Sequence, residues 1–597
     1  MWKSAGVKKI RLPRQRPGNN AFRCHTVPAR GDSTNAFGRS LTCAILCMLA
    51  VLPALRVSGD ASRPPRRRMG NTPAKHGIHP PGTVRDASHS PGARRASRRL
   101  FALADGSALA PAGSDVLPEQ AEAQTDAFAG NYGAIMLQGF HWRSCSFRDV
   151  SPEADWSWYE ECRRKIAVMR SFGVSAVWLP PPSHSVSPEG YLPQRLYDLD
   201  TRYGTKAELK LLTRALWDAG IAPLADVVIN HRCADTRDAD GKWRVFSNVS
   251  FPDGPPDDAE PGALRDKSWG PWAIVKDDPH FEGEGESDTG ESFAPAPDLD
   301  HKNGRVRAEL TAWLNWLRDD VGFRGWRFDY VKGYGANYVR EYVENSVGTS
   351  ALCVAEFWPE ASWDADGTLA RDQNPMRQAL CDWIDRAGGT TPAFDFATKA
   401  VLQEAVGKTE YWRLADERNE PPGLIGWWPE RAVTFVDNHD TGGSGASATS
   451  DQGRMKDGSS DAYGQGHWRF PPEKRLVGYA YVLTHPGVPC LFWPHCMWQE
   501  EKNRALSDGV AALCAARRAA GVRANSKVKI LAAESDCYVA RVVGDEQELT
   551  VKLGPRYDLP PDLVPEKGHE WELVAAGNEY AVWARPRNAK GDAKSAR

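Results

Sequence analysis

Carboxylate, amide, histidine and arginine side chains stand near the ends of four apolar, strand-like runs of this sequence. In chain order they are Asp226, Asn230 and His231, then Arg327 and Asp329, then Glu356, and last Asp437, His439 and Asp440. If the runs are parallel strands of a barrel, their carboxyl ends meet at one face and these side chains converge. Two carboxyl groups on either side of a bond can cleave glycosides, one as nucleophile or base and the other as acid. The spacing therefore predicts a glycoside-cleaving centre.

Two of the carboxylates have surroundings that suggest different roles. Arg327 precedes Asp329 by two positions, so the alternation of a strand places both side chains on one face. A neighbouring guanidinium favours the ionised carboxylate, which is the form that a nucleophile needs. Glu356 stands between Ala355 and Phe357, and burial among apolar groups should raise its pKa, as suits a proton donor near neutral pH.

The chain is rich in tryptophan, with 23 copies among 597 residues. Flat indole faces can pack in a core or stack on the apolar faces of sugar rings. We group four aromatic residues with the polar set: Trp142, Trp178, Tyr191 and Trp358. We expect them to form stacking surfaces, except for Trp178, which we assign to the core.

The elements that must position this set alternate regularly along the chain. Helix-like segments separate eight apolar runs, at residues 134–140, 175–181, 221–230, 326–331, 351–358, 392–397, 432–440 and 488–493. Such a pattern is typical of a parallel sheet covered on both faces. It predicts an α/β fold, a (β/α)8 barrel over residues 127–524. An open doubly wound sheet is the alternative, but the glycine-rich phosphate-binding motif that would favour it is missing from the sequence.

Two stretches depart from this alternation. Residues 231–304, after the third strand, are dense in Asp, Gly and Pro and too long for a simple loop, so we predict a small excursion domain. Residues 525–587 switch to short alternating strands with turn residues between them, which predicts a C-terminal antiparallel β domain. Residues 588–597 are predicted to be a frayed tail.

Residues 1–126 differ from the rest in composition. The first hundred residues contain 20 Lys and Arg but only three acidic residues, which predicts a disordered leader. An acid-poor, Arg-rich composition is typical of an organelle transit peptide. The apolar run 41–55 instead resembles the hydrophobic core of a signal peptide and is short for a membrane span. We expect a plastid location, or secretion if the run 41–55 acts as a signal peptide, and no stable membrane anchor.

Residues 101–597 are acidic, with 55 Lys and Arg against 74 Asp and Glu. Nucleic-acid binding needs a basic stripe or patch, so we expect no nucleic-acid partner. The length and composition also exclude a small disulfide-stapled module and a wholly disordered chain.

Four motifs around the polar set resemble the consensus blocks of the α-amylase family, in the family's order. They are DVVINH (226–231), GWRFDYVKGY (325–334), VAEFW (354–358) and FVDNHD (435–440). Further segments, among them LPPPSHSVSPEGYLP (179–193) and YAYVLTHPGVPC (479–490), are similar to plant-type α-amylases. The resemblance runs from about residue 134 to residue 587, roughly three-quarters of the chain.

The resemblance implies a role for each matching residue. Asp329 would be the nucleophile, Glu356 the general acid/base and Asp440 the transition-state stabiliser. The implied substrate-binding residues in the cleft are Tyr191, His231, Arg327, Lys332, Trp358 and His439. The adjacent Trp427 and Trp428 would form a separate surface site for starch granules.

The resemblance also implies a calcium ion that holds the excursion domain. The matching ligands are the side chains of Asn230, Asp288 and Asp298 and the backbone carbonyls near Glu291 and Gly333. A ligand set made only of oxygens suits a hard cation with about six to eight contacts.

The implied activity is endo-hydrolysis of α-1,4-glucosidic bonds, with retention of configuration, in starch-like polymers and oligosaccharides by a monomer. Two alternatives stay open: a glucan transglycosylase or branching enzyme on the same barrel, and a catalytically silent starch-binding protein. The presence of all three carboxylates argues against the silent protein. A Gly/Ser-rich insertion at 442–467 follows Asp440, and we expect it to affect leaving-group subsites but not the chemistry.

Overall fold

The computed structural model describes residues 133–151, 154–247, 268–442, 468–498, 501–565 and 570–587. The leader 1–126, the tail 588–597 and nearly all of the insertion 442–467 lie outside these residues, so what the sequence suggests for them stays a prediction.

Eight parallel strands close into a barrel in which each strand pairs with its neighbours in the sequence and the last pairs with the first. They are β1 Met136–Gln138, β2 Ala176–Leu179, β3 Ala222–Val227, β4 Gly325–Phe328, β5 Val354–Ala355, β6 Ala393–Phe394, β7 Ala432–Phe435 and β8 Val488–Phe492. Every residue of these strands is buried, because side chains fill the barrel and helices cover it. Each predicted run overlaps one strand, which confirms the (β/α)8 fold.

Helices connect the strands and follow the last one. The α-helices of more than one turn are Trp158–Arg164, Ile166–Phe172, Lys206–Asp218, Gly304–Trp316, Ala336–Glu344, Asn374–Arg386, Phe396–Lys408, Arg475–Thr484 and Glu501–Ala520. Short helices span Phe147–Val150, Leu424–Trp427 and Trp493–Cys496. The helix Gly304–Trp316 continues as a π-helical turn, Leu317–Val321.

Local sequence signals account for two of these helix ends. Thr205 caps the helix Lys206–Asp218, since its hydroxyl accepts from the Glu208 backbone N–H at 3.2 Å and the Glu208 carboxylate accepts from the Thr205 N–H at 2.7 Å. Gly173 ends the helix Ile166–Phe172 with φ +76°, a conformation that glycine adopts without strain. The local sequence thus determines where the first of these helices begins and where the second ends.

The long connection between β3 and β4 returns to the barrel beside the end of β3. Its described part is mostly loop, with a small ladder that pairs Thr236–Arg237 with Trp243–Val245. The Leu299 N–H donates to the Asn230 carbonyl at 2.9 Å, and an isolated bridge joins His231 to Asp298. The connection therefore brings acidic residues next to the polar end of β3. The extent of a domain at 231–304 stays a prediction.

After the barrel, five antiparallel strands form a separate sheet. They are β9 Lys527–Ala533, β10 Tyr538–Val543, β11 Gln547–Leu553, β12 Glu572–Gly577 and β13 Tyr580–Pro586, in the order β9-β10-β11-β13-β12. The sheet contacts the barrel, where His485 Nε2 lies 2.9 Å from the Tyr538 hydroxyl. The predicted C-terminal β domain is confirmed. No helix in the described ranges combines the length and apolarity that crossing a membrane requires.

Candidate active site

The strand register brings the sequence-predicted carboxylates to one mouth of the barrel. Asp226 of β3 pairs in register with Arg327 of β4, and Asp329 is the first residue after β4. Glu356 directly follows β5, and Asp440 lies in the loop after β7. All of these positions are at the carboxyl ends of parallel strands, which is the face where barrels of this type carry their chemistry.

Arg327 binds three of the carboxylates at the barrel mouth. Its buried guanidinium donates through Nη1 to Asp226 Oδ1 and Asp329 Oδ1, each at 2.7 Å. Nη2 lies 2.9 Å from Glu356 Oε2. One planar group therefore fixes the orientation of three carboxylates, as the fork of donors on arginine allows.

Asp329 and Glu356 bind the same guanidinium, Asp329 at Nη1 and Glu356 at Nη2 of Arg327. The Tyr330 N–H donates to Glu356 Oε2 at 3.2 Å, and Tyr330 has φ +43°, a strained value for a bulky residue. Two carboxyl groups on one guanidinium lie close together, as the separation of about 5–5.5 Å in retaining glycosidases requires. The geometry therefore suits a double displacement.

Burial sets the proton affinities of the pair. It raises the pKa of Glu356 to about 7, with the charge of Asp329 adding to it and Arg327 opposing it. Burial also raises the pKa of Asp329 to about 6, although Arg327 lowers it. The raised pKa of Glu356 has the direction expected from its apolar neighbours in the sequence. The pKa of Asp329 is raised and not lowered, because burial has a larger effect than the neighbouring guanidinium.

These values give an expectation for the pH dependence of hydrolysis. We expect kcat/KM to be highest between about pH 6 and pH 7, because Asp329 must be ionised and Glu356 protonated. The rate should fall as the pH drops through the pKa of Asp329 and again as it rises through that of Glu356. Initial rates on a soluble maltooligosaccharide across this range, with circular dichroism to check folding, would measure it. A rate that still rises beyond pH 8, about one unit above the pKa of Glu356, would contradict the assignment of Glu356 as the acid.

His439 lies beside Asp440 and is neutral. Its Nε2 is 3.4 Å from Asp440 Oδ2, and its Nδ1 is 2.9 Å from Gln138 Nε2. The Gln138 amide nitrogen donates, so Nδ1 accepts and the proton is on Nε2, facing the cleft. Burial lowers the pKa of His439 well below its usual value. The sequence analysis did not single out Gln138, although a polar residue inside the apolar run 134–140 indicates a side chain with a specific partner.

Aromatic rings line the cleft around His439. The Tyr191 ring stacks on it at 5.2 Å and 14°, and Trp142 stacks at 6.0 Å and 18°. The Tyr191 hydroxyl donates to Asp226 Oδ2 at 2.9 Å, which fixes the ring. Trp178 donates to the same oxygen at 3.0 Å and is fully buried, so it belongs to the core.

His231 and Lys332 lie on the excursion side of the mouth. His231 Nε2 is 2.9 Å from the Tyr191 carbonyl oxygen, and its ring stacks on Phe293 at 3.8 Å. Burial lowers the pKa of His231 to about 4, which leaves it neutral. Lys332 Nζ pairs with Glu291 Oε1 at 3.1 Å rather than with a catalytic carboxylate.

Trp427 and Trp428 do not belong to the cleft. They precede β7, whose far end leads to Asp440, so they lie toward the amino-terminal end of the barrel strands. Trp427 is 38% exposed, and the Arg377 guanidinium lies 4.0 Å from its ring centroid. Trp428 is half-buried. Any role in binding is therefore separate from catalysis.

The residues matched to a calcium site show features that fit a cation. Asn230 Oδ1 is buried and has no hydrogen-bond partner, while Asn230 Nδ2 donates to Asp298 Oδ1 at 2.9 Å. A Cβ at Gly333 would collide with Asn230 Oδ1, so glycine permits this approach. Burial raises the pKa of Asp298 to about 8, and the charges of Asp278 and Asp288 raise it further, so negative charge here lacks compensation.

The acidic residues alone do not form a metal cluster. Within the described ranges, three or more His, Cys, Asp or Glu side chains do not come together as a metal site. Asp288 Oδ1 accepts from the Thr289 N–H at 2.6 Å, and the Glu291 N–H donates to the Lys332 carbonyl at 2.9 Å. The five matched positions would supply two carboxylates, one amide oxygen and two backbone carbonyls, an all-oxygen set that suits calcium better than a softer metal.

Known proteins match the chain over the barrel and the C-terminal sheet. The family model "Alpha amylase, catalytic domain" matches residues 162–356, and "Alpha-amylase C-terminal beta-sheet domain" matches residues 519–584. The chain is 37% identical over 449 residues to "Alpha-amylase 3, chloroplastic" of Arabidopsis thaliana, covering 75% of this chain and 44% of that protein. It is 36% identical over 449 residues to "Probable alpha-amylase 2" of the same plant, covering 75% and 93%. The chain therefore spans less than half of the first relative and nearly all of the second.

Among solved structures, the chain resembles the ligand-free cyclic alpha-maltosyl-(1→6)-maltose hydrolase from Arthrobacter globiformis. The TM-score is 0.51 at 16% identity, and the match covers 77% of this chain and 99% of the other. At this identity the likeness shows a shared fold.

Proposed function

The chain belongs to the α-amylase family, and on this basis we propose that it hydrolyses internal α-1,4-glucosidic bonds of starch-like glucans. The observation that carries the proposal is the cluster of Asp329 and Glu356 on one buried guanidinium, with Asp440 beside them at the barrel mouth. Surface charges and helix caps are well solvated, whereas these three carboxylates are largely buried and all have raised pKa values.

In the first step, Asp329 attacks the anomeric carbon of the sugar at the cleavage point. Glu356 gives its proton to the glycosidic oxygen, the bond to that oxygen breaks, and the leaving chain departs with a new hydroxyl group. In the second step, the Glu356 carboxylate takes a proton from water as the water oxygen attacks the same carbon. The bond to Asp329 breaks, and the product has the original α configuration.

The surrounding residues stabilise these steps. Positive charge develops on the sugar in the transition state, and in this proposal the Asp440 carboxylate stabilises it. The Nε2–H of His439 faces the cleft and can donate to a sugar hydroxyl, with Gln138 fixing its tautomer. Tyr191 offers a ring held by Asp226 as a stacking surface.

Incubation of the purified full chain with soluble starch tests the proposal, with product sizes followed over time. A rapid fall in chain length with a mixture of α-configured maltooligosaccharides is the expected result. Products longer than the substrate, or newly branched products, would favour a transglycosylase or branching enzyme. Glucan binding without cleavage would favour a silent starch-binding protein.

We also propose that calcium binds between the end of β3 and the excursion. The Asn230 Oδ1, Asp288 and Asp298 side chains would hold it, with backbone carbonyls near Glu291 and Gly333. The unpartnered Asn230 oxygen and the uncompensated charge at Asp298 support this assignment. The ion would fix the excursion against the strand that leads to His231.

Chelation should therefore lower thermal stability. At a calcium concentration a hundredfold above Kd, bound calcium adds about 2.7 kcal/mol, so a chelator should lower the Tm by several degrees. We expect Asp298→Asn to have a low Tm that a chelator no longer changes. Glu284→Gln, which removes an exposed acid of the same connection, is the matched control and should respond like the parent. An unchanged Tm in the parent on chelation would refute the site.

Two proposals concern residues outside the cleft. The Arg-rich leader and the chloroplastic relative support a plastid location directed by residues 1–126. A fluorescent fusion of these residues that enters the secretory pathway would contradict it.

The exposure of Trp427 supports a starch-granule site. Unchanged sedimentation with granules after Trp427→Ala and Trp428→Ala would exclude that role.

A further inference from the structure

A buried carboxylate lies at the base of the loop after β7, the loop that carries the proposed transition-state stabiliser. Asp437 is 2% exposed. Its Oδ1 atom accepts three hydrogen bonds, from Lys399 Nζ at 3.0 Å, from Thr441 Oγ1 at 3.0 Å and from the Phe470 N–H at 3.1 Å. We call Asp437, Lys399, Thr441 and the Phe470 N–H the Asp437 clamp. Its donors come from a helix, from the loop itself and from the segment 468–475.

Hydrogen bonds inside the loop connect the Asp437 clamp to Asp440. Asn438 Oδ1 accepts from the Asp440 N–H at 3.0 Å and from the Thr441 N–H at 2.9 Å. Thr441 Oγ1 accepts from the Asn438 N–H at 3.0 Å and gives its own proton to Asp437. The Thr441 hydroxyl therefore joins the tight turn around Asp440 to the buried carboxylate.

The helix that carries Lys399 also borders the acid/base residue. Its first residue, Phe396, stacks on Trp358 with ring centroids 4.5 Å apart, and Trp358 follows Glu356 by two positions. Lys399 lies one turn further along this helix, and its Nζ also donates to Gln403 Oε1 at 2.6 Å. The Asp437 clamp is thus anchored on an element that contacts the loops of two proposed catalytic residues.

The charges of the Asp437 clamp are buried. The side chains of Asp437 and Lys399 are both fully buried. Arg475 is buried as well, and its Nε lies 3.9 Å from Asp437 Oδ2. Burying charges is costly, and apolar residues of similar volume are often as stable in such a place. The advantage of this pair therefore lies in the geometry that it fixes.

The Asp437 clamp also joins the two flanks of the Gly/Ser-rich insertion. Thr441 directly precedes residues 442–467, and Phe470 follows them by three positions. Both flanks donate to one carboxylate oxygen, so they are held at the same point of the barrel. Buried contacts on both sides of the insertion thus set the position of the loop.

We propose that Lys399, Asp437 and Thr441 are positioning residues, which set the Asp440 carboxylate and the His439 imidazole against the sugar. The inference rests on the proposed hydrolase function and adds residues that this function needs outside the cleft. Fully buried side chains act through the loop and not on the sugar itself. A displacement of about 1 Å at a reacting group can lower a rate about a hundredfold. A weakened clamp should therefore affect the transition state more than glucan binding.

Thr441→Val tests the proposal, because it removes the hydroxyl at nearly constant volume and leaves the buried charges in place. Thr434→Val is the matched control, since Thr434 is fully buried on β7 and its hydroxyl finds no hydrogen-bond partner among the described residues. Thr441→Ser, which keeps the hydroxyl, provides the rescue. The readouts are kcat and KM on a maltooligosaccharide, the affinity for a cationic iminosugar that resembles the transition state, and the Tm of each variant.

For Thr441→Val we expect kcat to fall by about ten- to a hundredfold with KM nearly unchanged. Affinity for the iminosugar should fall in proportion to kcat/KM, because a transition-state analogue reports the same complementarity. Thr441→Ser should recover most of the rate, and Thr434→Val should match the parent. A lower Tm with an unchanged kcat for Thr441→Val would show a role in stability only and would overturn the proposal.

Lys399→Met tests the other end of the clamp, because methionine has a similar length but cannot donate to Asp437. We expect the same pattern, a lower kcat at nearly constant KM, and a folded Lys399→Met variant with the parental kcat would also contradict the proposal. If the parent hydrolyses starch and Thr441→Val is equally active, this inference alone fails. If the parent does not cleave starch and its Glu356→Gln variant does not bind glucans, the proposed function itself fails.

Discussion

Asp329→Asn should abolish hydrolysis, with a fall in kcat on the order of 10⁶, the scale seen when an enzyme loses its nucleophile. Asparagine has nearly the same size, and its side-chain oxygen can still accept from Arg327 Nη1, so the site should keep its shape. The neutral amide cannot form the glycosyl ester, and no other carboxylate is placed to replace it. The measurement is kcat on a long maltooligosaccharide, with affinity measured in parallel.

Asp226→Asn is the matched control for this substitution. Asp226 accepts from the same Arg327 nitrogen, but it is fully buried and its other oxygen accepts from Tyr191 and Trp178. It therefore cannot touch the sugar, and its loss should act only through the position of Arg327, with a much smaller effect on kcat. An Asp329→Asn variant that stays within tenfold of the parent would contradict the account. So would a folded Asp226→Asn variant that is equally inactive.

Glu356→Gln should lower kcat on natural glucans by about 10²–10⁴ while glucan affinity is kept. The amide cannot give a proton to the glycosidic oxygen, and it cannot take one from water in the second step. A maltosyl fluoride has a leaving group that needs no proton, so its first step should be nearly normal and the glycosyl enzyme should accumulate. With this substrate, the pH–rate profile of Glu356→Gln should show no fall at high pH, because that fall reports the ionisation of Glu356.

Added azide and a neighbouring acid sharpen this experiment. Azide needs no deprotonation, so it should restore turnover of the fluoride and give a glycosyl azide with the α configuration. Glu360→Gln changes an exposed acid of the same loop and should leave the rate unchanged. A Glu356→Gln enzyme that cleaves starch at the parental rate would exclude this residue as the acid.

The sequence predicted the barrel because its information is local. Each strand is a short, fully buried and mainly apolar run, and longer helical segments separate the runs. The alternation of a strand also placed Arg327 and Asp329 on one face, which the 2.7 Å contact between them confirms. Since barrels carry their polar residues at the carboxyl ends of strands, convergence of the distant motifs followed from the fold.

Features that depend on long-range register were not predictable in the same way. Asp226 meets Arg327 across 101 residues of chain, and Gln138 meets His439 across 301. The raised pKa of Asp329 depends on how many carboxylates share one guanidinium and how deeply they are buried, which neighbours in sequence do not reveal. The helices Trp158–Arg164 and Ile166–Phe172 are separated at Lys165, and the local sequence shows no proline or glycine that would explain the break.

Trapping the glycosyl enzyme tests the central assignment most directly. Glu356→Gln enzyme would be mixed with α-maltosyl fluoride, quenched in acid, digested and mapped by mass spectrometry. A single maltosyl adduct on the peptide that contains Asp329, with an α-configured product from the parent enzyme, is the expected result. An adduct on any other residue, or a first product of β configuration, would show that the carboxylates at this barrel mouth do not act as assigned.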